Sequence, residues 1–135
     1  MIVVDTNVIA GLWLPTKWSR ASERLLAKDP EWTAPLLWRS ELRNVLATYV
    51  RTGNLDLAAA LAIADAAETL LAGRDYSVDS ASVLRLAASS GRTAYDCEFV
   101  ALAQHLGTSL VTVDRRLRDA FPDVARDLKT FTGDG

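Results

Sequence analysis

The fold of this chain is decided by its opening stretch, Met1-Ile2-Val3-Val4-Asp5-Thr6-Asn7. The apolar run is typical of a short buried strand, and the carboxylate with two small polar residues after it predicts a turn into a helix. Asp5 is therefore expected at the carboxyl end of a strand, where open α/β sheets bind their ligands. The alternative is that Asp5 or Thr6 serves only as a helix N-cap.

A second stretch of the same design occurs far along the chain, Leu110-Val111-Thr112-Val113-Asp114. Asp114 also ends an apolar strand and begins a helix, so its alternative role is again that of an N-cap. If the two strands are neighbours in one parallel sheet, their carboxylates meet at the same edge of that sheet.

Helical segments alternate with short apolar segments, which predicts a layered α/β fold with a mostly parallel sheet in a single domain. Further strands are predicted over residues 31–34, weakly over 76–78, and at an edge over 128–131. Helices are predicted over residues 8–14, 19–27, 37–51, 57–71, 94–106 and 115–120, with a short one ending at 88 and a frayed tail over 132–135.

Composition limits the chemistry that the chain can carry. A net charge of −2 gives no global sign of a nucleic-acid partner, so such a partner would need local basic residues or a bound cation. The single Cys97 excludes an internal disulfide and a multi-cysteine zinc site, and the single His105 excludes a histidine-rich metal site. Oxygen ligands remain, which favours Mg²⁺ or Mn²⁺.

The chain shows no targeting or membrane-spanning pattern. Met1 leads directly into a strand, without the basic region of a signal peptide. The most apolar segment, residues 57–72, is rich in alanine and interrupted by Asp65 and Glu68. We therefore expect a cytoplasmic protein with no membrane partner, and a helix that packs closely against a flat surface or a second copy of the chain.

Two further carboxylates lie where solvated ones are not expected. Asp96 lies at the edge of the apolar arc of its helix, an arc that includes Tyr95, and it could also act as the reciprocal partner of a Thr93 capping box. Glu41 lies on the shoulder of an apolar stripe, and its alternative is a surface ion pair. Glu98 is expected on the opposite, solvated side of the helix that carries Asp96.

If both helix carboxylates reach the edge where Asp5 and Asp114 meet, four like charges stand close together. Such a group repels itself, and a divalent cation relieves the repulsion. A metal bound there would polarise a phosphodiester and lower the pKa of a bound water. It would also explain how an acidic protein could bind an acidic polymer.

Four short motifs follow one another along the chain: Val3-Val4-Asp5-Thr6-Asn7-Val8, Ser40-Glu41-Leu42, Tyr95-Asp96-Cys97-Glu98-Phe99-Val100-Ala101-Leu102-Ala103, and Leu110-Val111-Thr112-Val113-Asp114-Arg115-Arg116-Leu117. In this order they resemble the motifs of the PIN-domain nucleases, and their intervals resemble the VapC-type toxins of bacterial type II toxin–antitoxin pairs. The resemblance implies a three-layer α/β/α sandwich around a central, mostly parallel sheet of four to five strands, with residues 1–131 as the PIN-like domain.

The same resemblance implies a Mg²⁺- or Mn²⁺-dependent endoribonuclease with an RNA substrate, a VapB-like antitoxin as partner, and a homodimer. Asp5, Glu41, Asp96 and Asp114 match the acidic quartet of the family, which serves as catalytic and metal-binding set. Thr112 matches a small hydroxyl residue near the metal, and Thr6 and Asn7 match the polar residues after the first acid.

Three alternatives remain open. A PIN-domain nuclease of RNA processing would share the site but lack an antitoxin. A binding module would use the acids only as caps and ion pairs. A phosphotransferase of haloacid-dehalogenase type also begins with a strand and an Asp, but it needs a second Asp where Asn7 stands.

Basic and aromatic residues supply weaker predictions about partners. Trp13 and Trp18 flank the break at Pro15, and as exposed aromatics they would suit a protein interface that receives the antitoxin's C-terminal segment, or else simple core packing. Arginines that flank the acidic motifs are candidates for phosphate contacts or ordinary surface residues, namely Arg39, Arg43, Arg92, Arg115, Arg116 and Arg118.

Overall fold

Residues 1–133 are described by a computed structural model, and within them the chain forms five strands and eight helices. The strands are β1 (Ile2–Val4), β2 (Trp32–Pro35), β3 (Asp75–Tyr76), β4 (Leu110–Thr112) and β5 (Ala125–Asp127). The helices are α1 (Thr6–Ala10), α2 (Ser19–Lys28), α3 (Leu37–Arg51), α4 (Leu57–Leu70), α5 (Ser80–Ser90), α6 (Ala94–Leu106), α7 (Arg115–Ala120) and α8 (Leu128–Phe131).

The five strands form one sheet in the order β3-β2-β1-β4-β5, and every pairing in it is parallel. β1 lies at the centre, and its Ile2, Val3 and Val4 are buried on both faces, as expected for a parallel sheet. Val4 is in register with Val111 of β4, so the two strands end level with each other. The predicted parallel sheet is therefore confirmed.

Helices cover both faces of this sheet. Helix α6 packs on β1, β2 and β4, with α5 against it, while α3, α1, α2 and α8 form a second connected set that packs on β2, β4 and β5. The three-layer α/β/α arrangement implied by the sequence motifs is thus confirmed. Large side chains fill the space between layers, and Trp32, Trp38 and Ile9 are among those wholly removed from solvent.

The first helix is shorter than predicted, and the prediction of residues 8–14 was wrong at both ends. Helix α1 begins at Thr6, because the Asp5 side chain already caps it, and it ends at Ala10. At Gly11 a side chain would clash, since a Cβ there would lie 2.7 Å from Ser22 Oγ and 2.8 Å from Trp18 Cδ1. Gly11 has no side chain, so the backbone there can lie close to the Trp18 ring.

The predicted edge strand over residues 128–131 was also wrong, because that segment is helix α8. Asp127 caps this helix by accepting a 3.1 Å hydrogen bond from the Thr130 N–H. The edge strand comes just before it, as β5, and pairs with β4. Of the predicted tail, residues 132 and 133 follow α8, and residues 134 and 135 lie outside the described residues.

Other elements agree closely with expectation, and α3, α6 and α7 have the predicted bounds. Trp13 and Trp18 are half-buried, and the Trp18 indole N–H donates to the Asn7 carbonyl oxygen at 2.9 Å. Alanine-rich α4 packs on α3 and exposes Leu57 and Leu61. Within residues 1–133, no helix combines the length and apolar character needed to cross a membrane.

Candidate active site

All four predicted acids line a single cleft of about 400 Å³ at the carboxyl edge of the sheet. Asp5 follows β1, and Asp114 follows β4. Because these two strands are parallel neighbours, both acids lie at the same edge of the sheet. Glu41 is supplied by α3 and Asp96 by the first turn of α6. The fold thus brings together carboxylates that are far apart in sequence.

Asp5 is the most deeply placed of the four. Its Oδ1 accepts a 2.9 Å hydrogen bond from the Val8 N–H, and its Oδ2 accepts one from the Thr112 hydroxyl. Asp5 is therefore an N-cap as well as a cleft residue, so the two interpretations offered by the sequence hold together. Burial raises the pKa of Asp5 to about 6, aided by the charge of Asp114 and opposed by the hydrogen bonds from Thr112 and Val8.

Thr112 connects the two strand-end acids. Its hydroxyl donates to Asp5 and accepts a 3.0 Å hydrogen bond from the Asp114 N–H. The Asp114 carboxylate in turn caps α7, with Oδ1 accepting from the N–H groups of Arg116 at 2.9 Å and Leu117 at 3.3 Å. Thr112 is wholly buried, so its hydroxyl holds a defined position between the two acids.

Glu41 is half-buried, and its position is set from α1. The Thr6 hydroxyl donates a 2.7 Å hydrogen bond to Glu41 Oε1. Burial raises the pKa of Glu41, the Thr6 hydrogen bond opposes that rise, and the charges of Asp96 and Glu98 add to it.

Asp96 shares this electrostatic environment. Its N–H donates to Thr93 Oγ1 at 3.0 Å, which is the N-cap bond of α6. Burial raises the pKa of Asp96, as does the charge of Asp114, whereas Thr93 and Arg92 oppose the rise. Asp114 therefore acts on both Asp5 and Asp96, and Asp96 acts on Glu41, so the four acids form one repelling group.

The chemistry of these donors fits a hard divalent cation. Within residues 1–133, every charged side chain that lines the cleft is a carboxylate, and oxygen ligands suit Mg²⁺ and Mn²⁺. In the same part of the chain, no three acid, histidine or cysteine side chains already stand in a metal-holding arrangement. A cation in the cleft would have to draw the carboxylates together, and it would lower their mutual repulsion.

Glu98 is separated from this group by the turn of α6. It lines a second cavity, with Leu36 and Val83, rather than the acidic cleft. It was expected on the solvated face, but it is half-buried, and burial raises its pKa.

Tyr95 does not belong to the apolar arc on which the helical wheel placed it. Its side chain is 63% exposed and lines the acidic cleft, because the first turn of α6 extends beyond the core. Two polar residues that were not singled out, Ser40 and Asn44, also line the cleft. The sequence could have indicated both, since Ser40 directly precedes Glu41 and Asn44 lies one helical turn after Ser40 on the same face of α3.

Within residues 1–133, no arginine is among the residues that line the cleft, although Asn7 and Thr6 are. Arg39 Nε instead donates to Asp75 at 2.7 Å, and its Nη1 lies 3.3 Å from Glu68. Arg43 lines a groove between α3 and α4. Of the others, Arg92 lies near Asp96, whereas α7 carries the remaining three: Arg115 at 3.8 Å from Asp119, the exposed Arg116, and Arg118 at 3.5 Å from Asp127.

Comparison with known proteins gives consistent matches. Residues 2–122 match the family described as PIN domain. The chain is 34% identical over 126 residues to Ribonuclease VapC3 from Pyrobaculum aerophilum, an alignment that covers 90% of this chain and 95% of that relative.

Two crystal structures share the fold over nearly the whole chain. PAE2754 from Pyrobaculum aerophilum superposes with a TM-score of 0.78 at 24% identity, covering 98% of this chain and 94% of that one. FitAcB from Neisseria gonorrhoeae superposes with a TM-score of 0.71 at 20% identity, covering 95% of this chain and 98% of that one.

Proposed function

From the premise that the chain belongs to the PIN-domain family, we propose that it is a Mg²⁺- or Mn²⁺-dependent endoribonuclease and the toxin of a VapBC-type toxin–antitoxin pair. The observation that carries the proposal is the cleft in which Asp5, Glu41, Asp96 and Asp114 converge at the carboxyl edge of the sheet. The similarity to Ribonuclease VapC3 supports RNA as the substrate. The place of action is then the cytoplasm.

In this proposal Asp5, Asp96 and Asp114 would hold the metal, and Glu41 would hold it too or orient the attacking water. The metal, when bound, would polarise the phosphoryl oxygen and lower the pKa of a bound water. The chain's own contribution is positioning. Thr112 holds Asp5, and Thr6 holds Glu41 by a 2.7 Å hydrogen bond, so two of the carboxylates keep their orientation without a ligand.

A specific observation favours a second candidate, the non-catalytic binding module. Asp5 and Asp114 both accept helix-capping hydrogen bonds, at 2.9 Å from Val8 and Arg116 respectively, and caps alone would explain their presence. Capping does not explain the burial of Asp5 beside other acids, which costs free energy unless a cation compensates it. The two candidates therefore differ in whether the cleft binds metal.

Calorimetric titration with Mn²⁺ separates them. Wild type should bind, and Asp5→Asn and Asp96→Asn should both lose binding, because Asn keeps the shape and capping ability but not the charge. Asp56→Asn is the matched control, since the exposed Asp56 caps α4 outside the cleft lining, with its Oδ1 accepting from Ala59 at 2.7 Å. If wild type and the two cleft variants give the same titration, these acids form no metal site and the nuclease proposal fails.

We also propose a VapB-like antitoxin as partner. Between α3 and α4 lies an apolar groove of about 340 Å³, lined by the exposed Leu57 and Leu61 and by Arg43 and Arg51. Apolar walls with arginines suit an acidic amphipathic segment. Leu61→Glu should therefore weaken co-purification with a VapB-like antitoxin, while Leu84→Glu, at an exposed position of α5, should not. Co-purification that survives Leu61→Glu contradicts this groove as the docking site.

The homodimer that the family resemblance implies is likewise a proposal. Light scattering during size-exclusion chromatography of the isolated protein tests it, because the mass of one chain is 14.7 kDa. A mass of twice that value is expected, and a mass equal to one chain would contradict it.

A PIN-domain nuclease without an antitoxin would behave identically in the metal titration and differ only in the absence of a partner.

A further inference from the structure

Tyr95 is a large side chain whose position packing does not explain. It is 63% exposed on the first turn of α6, directly before Asp96. Within residues 1–133 its ring joins neither of the two buried apolar clusters. Of the large apolar residues exposed in that range, Tyr95 is the one that lines the acidic cleft.

The surroundings of Tyr95 in the cleft are partly apolar. Leu37, Val45, Phe99 and Leu117 share the lining with the carboxylates. An apolar wall provides no ligand atom for a metal and no hydrogen bond for a phosphate. It suits the flat face of a nucleobase.

The absence of positive charge within the cleft bears on the same point. Within residues 1–133 no lysine or arginine lines it, so phosphate neutralisation by side chains is confined to the rim. Apart from the proposed metal, contacts other than ion pairs must then orient a polynucleotide in the cleft. Stacking on an aromatic ring is such a contact, and it is independent of base identity.

We propose that Tyr95 stacks on an unpaired nucleobase of the RNA strand and so places the adjoining phosphate over the carboxylates. The proposal rests on the proposed nuclease function and adds the residue that seats the strand. Bases inside a duplex already stack on one another and cannot offer their faces to the ring. The stacking contact therefore favours a strand whose bases are unpaired at the cleft.

The test is binding of a fluorescein-labelled single-stranded RNA dodecamer of randomised sequence, measured by fluorescence anisotropy in Mg²⁺. All proteins carry Glu41→Gln to prevent turnover. Tyr95→Ala should weaken binding by about 10-fold or more, and Tyr95→Phe and Tyr95→Trp should stay within about 3-fold, because both keep a stacking ring. Tyr76→Ala is the matched control, since Tyr76 is also exposed but lies outside the cleft, and it should bind normally.

A blunt duplex of the same length separates stacking from general affinity. Tyr95→Ala should weaken single-strand binding far more than duplex binding. Equal affinities of Tyr95→Ala and its parent for the single strand would overturn the stacking proposal, as would a Tyr95→Phe variant as weak as Tyr95→Ala. Tyr95 is not a proposed metal ligand, so Mn²⁺ titration tests the nuclease proposal separately. If the wild-type protein binds Mn²⁺ and cleaves RNA but Tyr95→Ala leaves RNA affinity unchanged, only the stacking proposal is refuted. A protein that binds neither Mn²⁺ nor RNA refutes both proposals.

Discussion

The Thr6 hydroxyl donates a 2.7 Å hydrogen bond to Glu41 Oε1 and thereby ties α1 to α3. Thr6 is buried and directly follows Asp5, so one turn of backbone supplies one carboxylate to the cleft and orients another. The hydrogen bond also keeps the pKa of Glu41 lower than burial alone would set it.

Thr6→Val should show what the hydrogen bond to Glu41 contributes, because valine keeps the shape of threonine and lacks its hydroxyl. The pKa of Glu41 should rise further, so the acidic limb of the pH–rate profile for RNA cleavage should move to higher pH. Stability should fall by about 1 kcal/mol, the usual net value of one hydrogen bond. Thr6→Ser keeps the donor and should retain the wild-type profile, and a Thr6→Val profile that coincides with wild type would contradict this role.

Asp5 should make the metal-free protein less stable at neutral pH than at acid pH. The fold raises its pKa from 3.8 to about 6, so the folded state favours the protonated form. This contribution is fully present below pH 3.8 and is lost as the pH rises through about 6. A pKa that rises from 3.8 to about 6 corresponds to a loss of stability on the order of 3 kcal/mol at pH 7.5.

Asp5→Asn carries no charge and should therefore raise the melting temperature in EDTA at pH 7.5, with the gain shrinking towards pH 5. Melting curves at several pH values measure it. Asp56→Asn, at an exposed cap, should show no such pH-dependent gain. Added Mg²⁺ should stabilise wild type more than Asp5→Asn. A melting temperature for Asp5→Asn that falls by the same amount at every pH would mean that Asp5 acts as a cap without a burial cost.

Asp96 and Glu98 share α6, separated only by Cys97, yet they line different cavities. Loss of a residue that merely supports a metal ligand costs about 10–100-fold in activity, so loss of a ligand should cost more. Asp96→Asn should therefore reduce RNA cleavage by at least about 100-fold, while Glu98→Gln should stay within about 3-fold. Since the charge of Glu98 also raises the pKa of Glu41, Glu98→Gln should move the acidic limb of the profile to slightly lower pH. Comparable losses in both variants would place Glu98 in the site.

Arg39 should matter for stability rather than for RNA. Its Nε donates to Asp75 at 2.7 Å, and the Asp75 side chain is only 9% exposed. The same carboxylate accepts from the Trp38 indole N–H at 3.1 Å. Arg39→Met would leave a nearly buried charge without its ion-pair partner, and the melting temperature should fall by a few degrees.

The matched variant is Arg116→Ala, at an exposed arginine on α7 beside the cleft. It should leave the melting temperature unchanged and weaken RNA binding, with a smaller dependence of affinity on salt. RNA affinity that falls in Arg39→Met but not in Arg116→Ala would reverse this assignment.

The positions of Asp5 and Asp114 could be predicted because the signal is local. Each follows an apolar run, and parallel neighbours must end at the same edge. The bounds of α6 were predictable for the same reason, since Thr93 caps its start and Gly107 adopts the left-handed conformation at its end.

Long-range contacts explain what the sequence could not predict. Arg39 resembles a phosphate ligand until its partner Asp75 is found, 36 positions away in sequence. The close packing of Trp18 and Ser22 against Gly11, just after the end of α1, is likewise not revealed by a local pattern. β5 was missed because it is a short edge strand in which Ala125 alone is buried, whereas the following residues are more apolar.

The central position of β1 determines when, during synthesis, the site can exist. β1 is synthesised before β4, but its pairing on one side is with β4, at residues 110 and 111. Pairing across so long a separation is slow and cannot begin before the later segment is made. The cleft around Asp5 therefore cannot be complete until Asp114 has been translated and β4 has paired with the second edge of β1. Because the proposed metal site needs both Asp5 and Asp114, a chain whose synthesis has not passed residue 114 cannot hold that site.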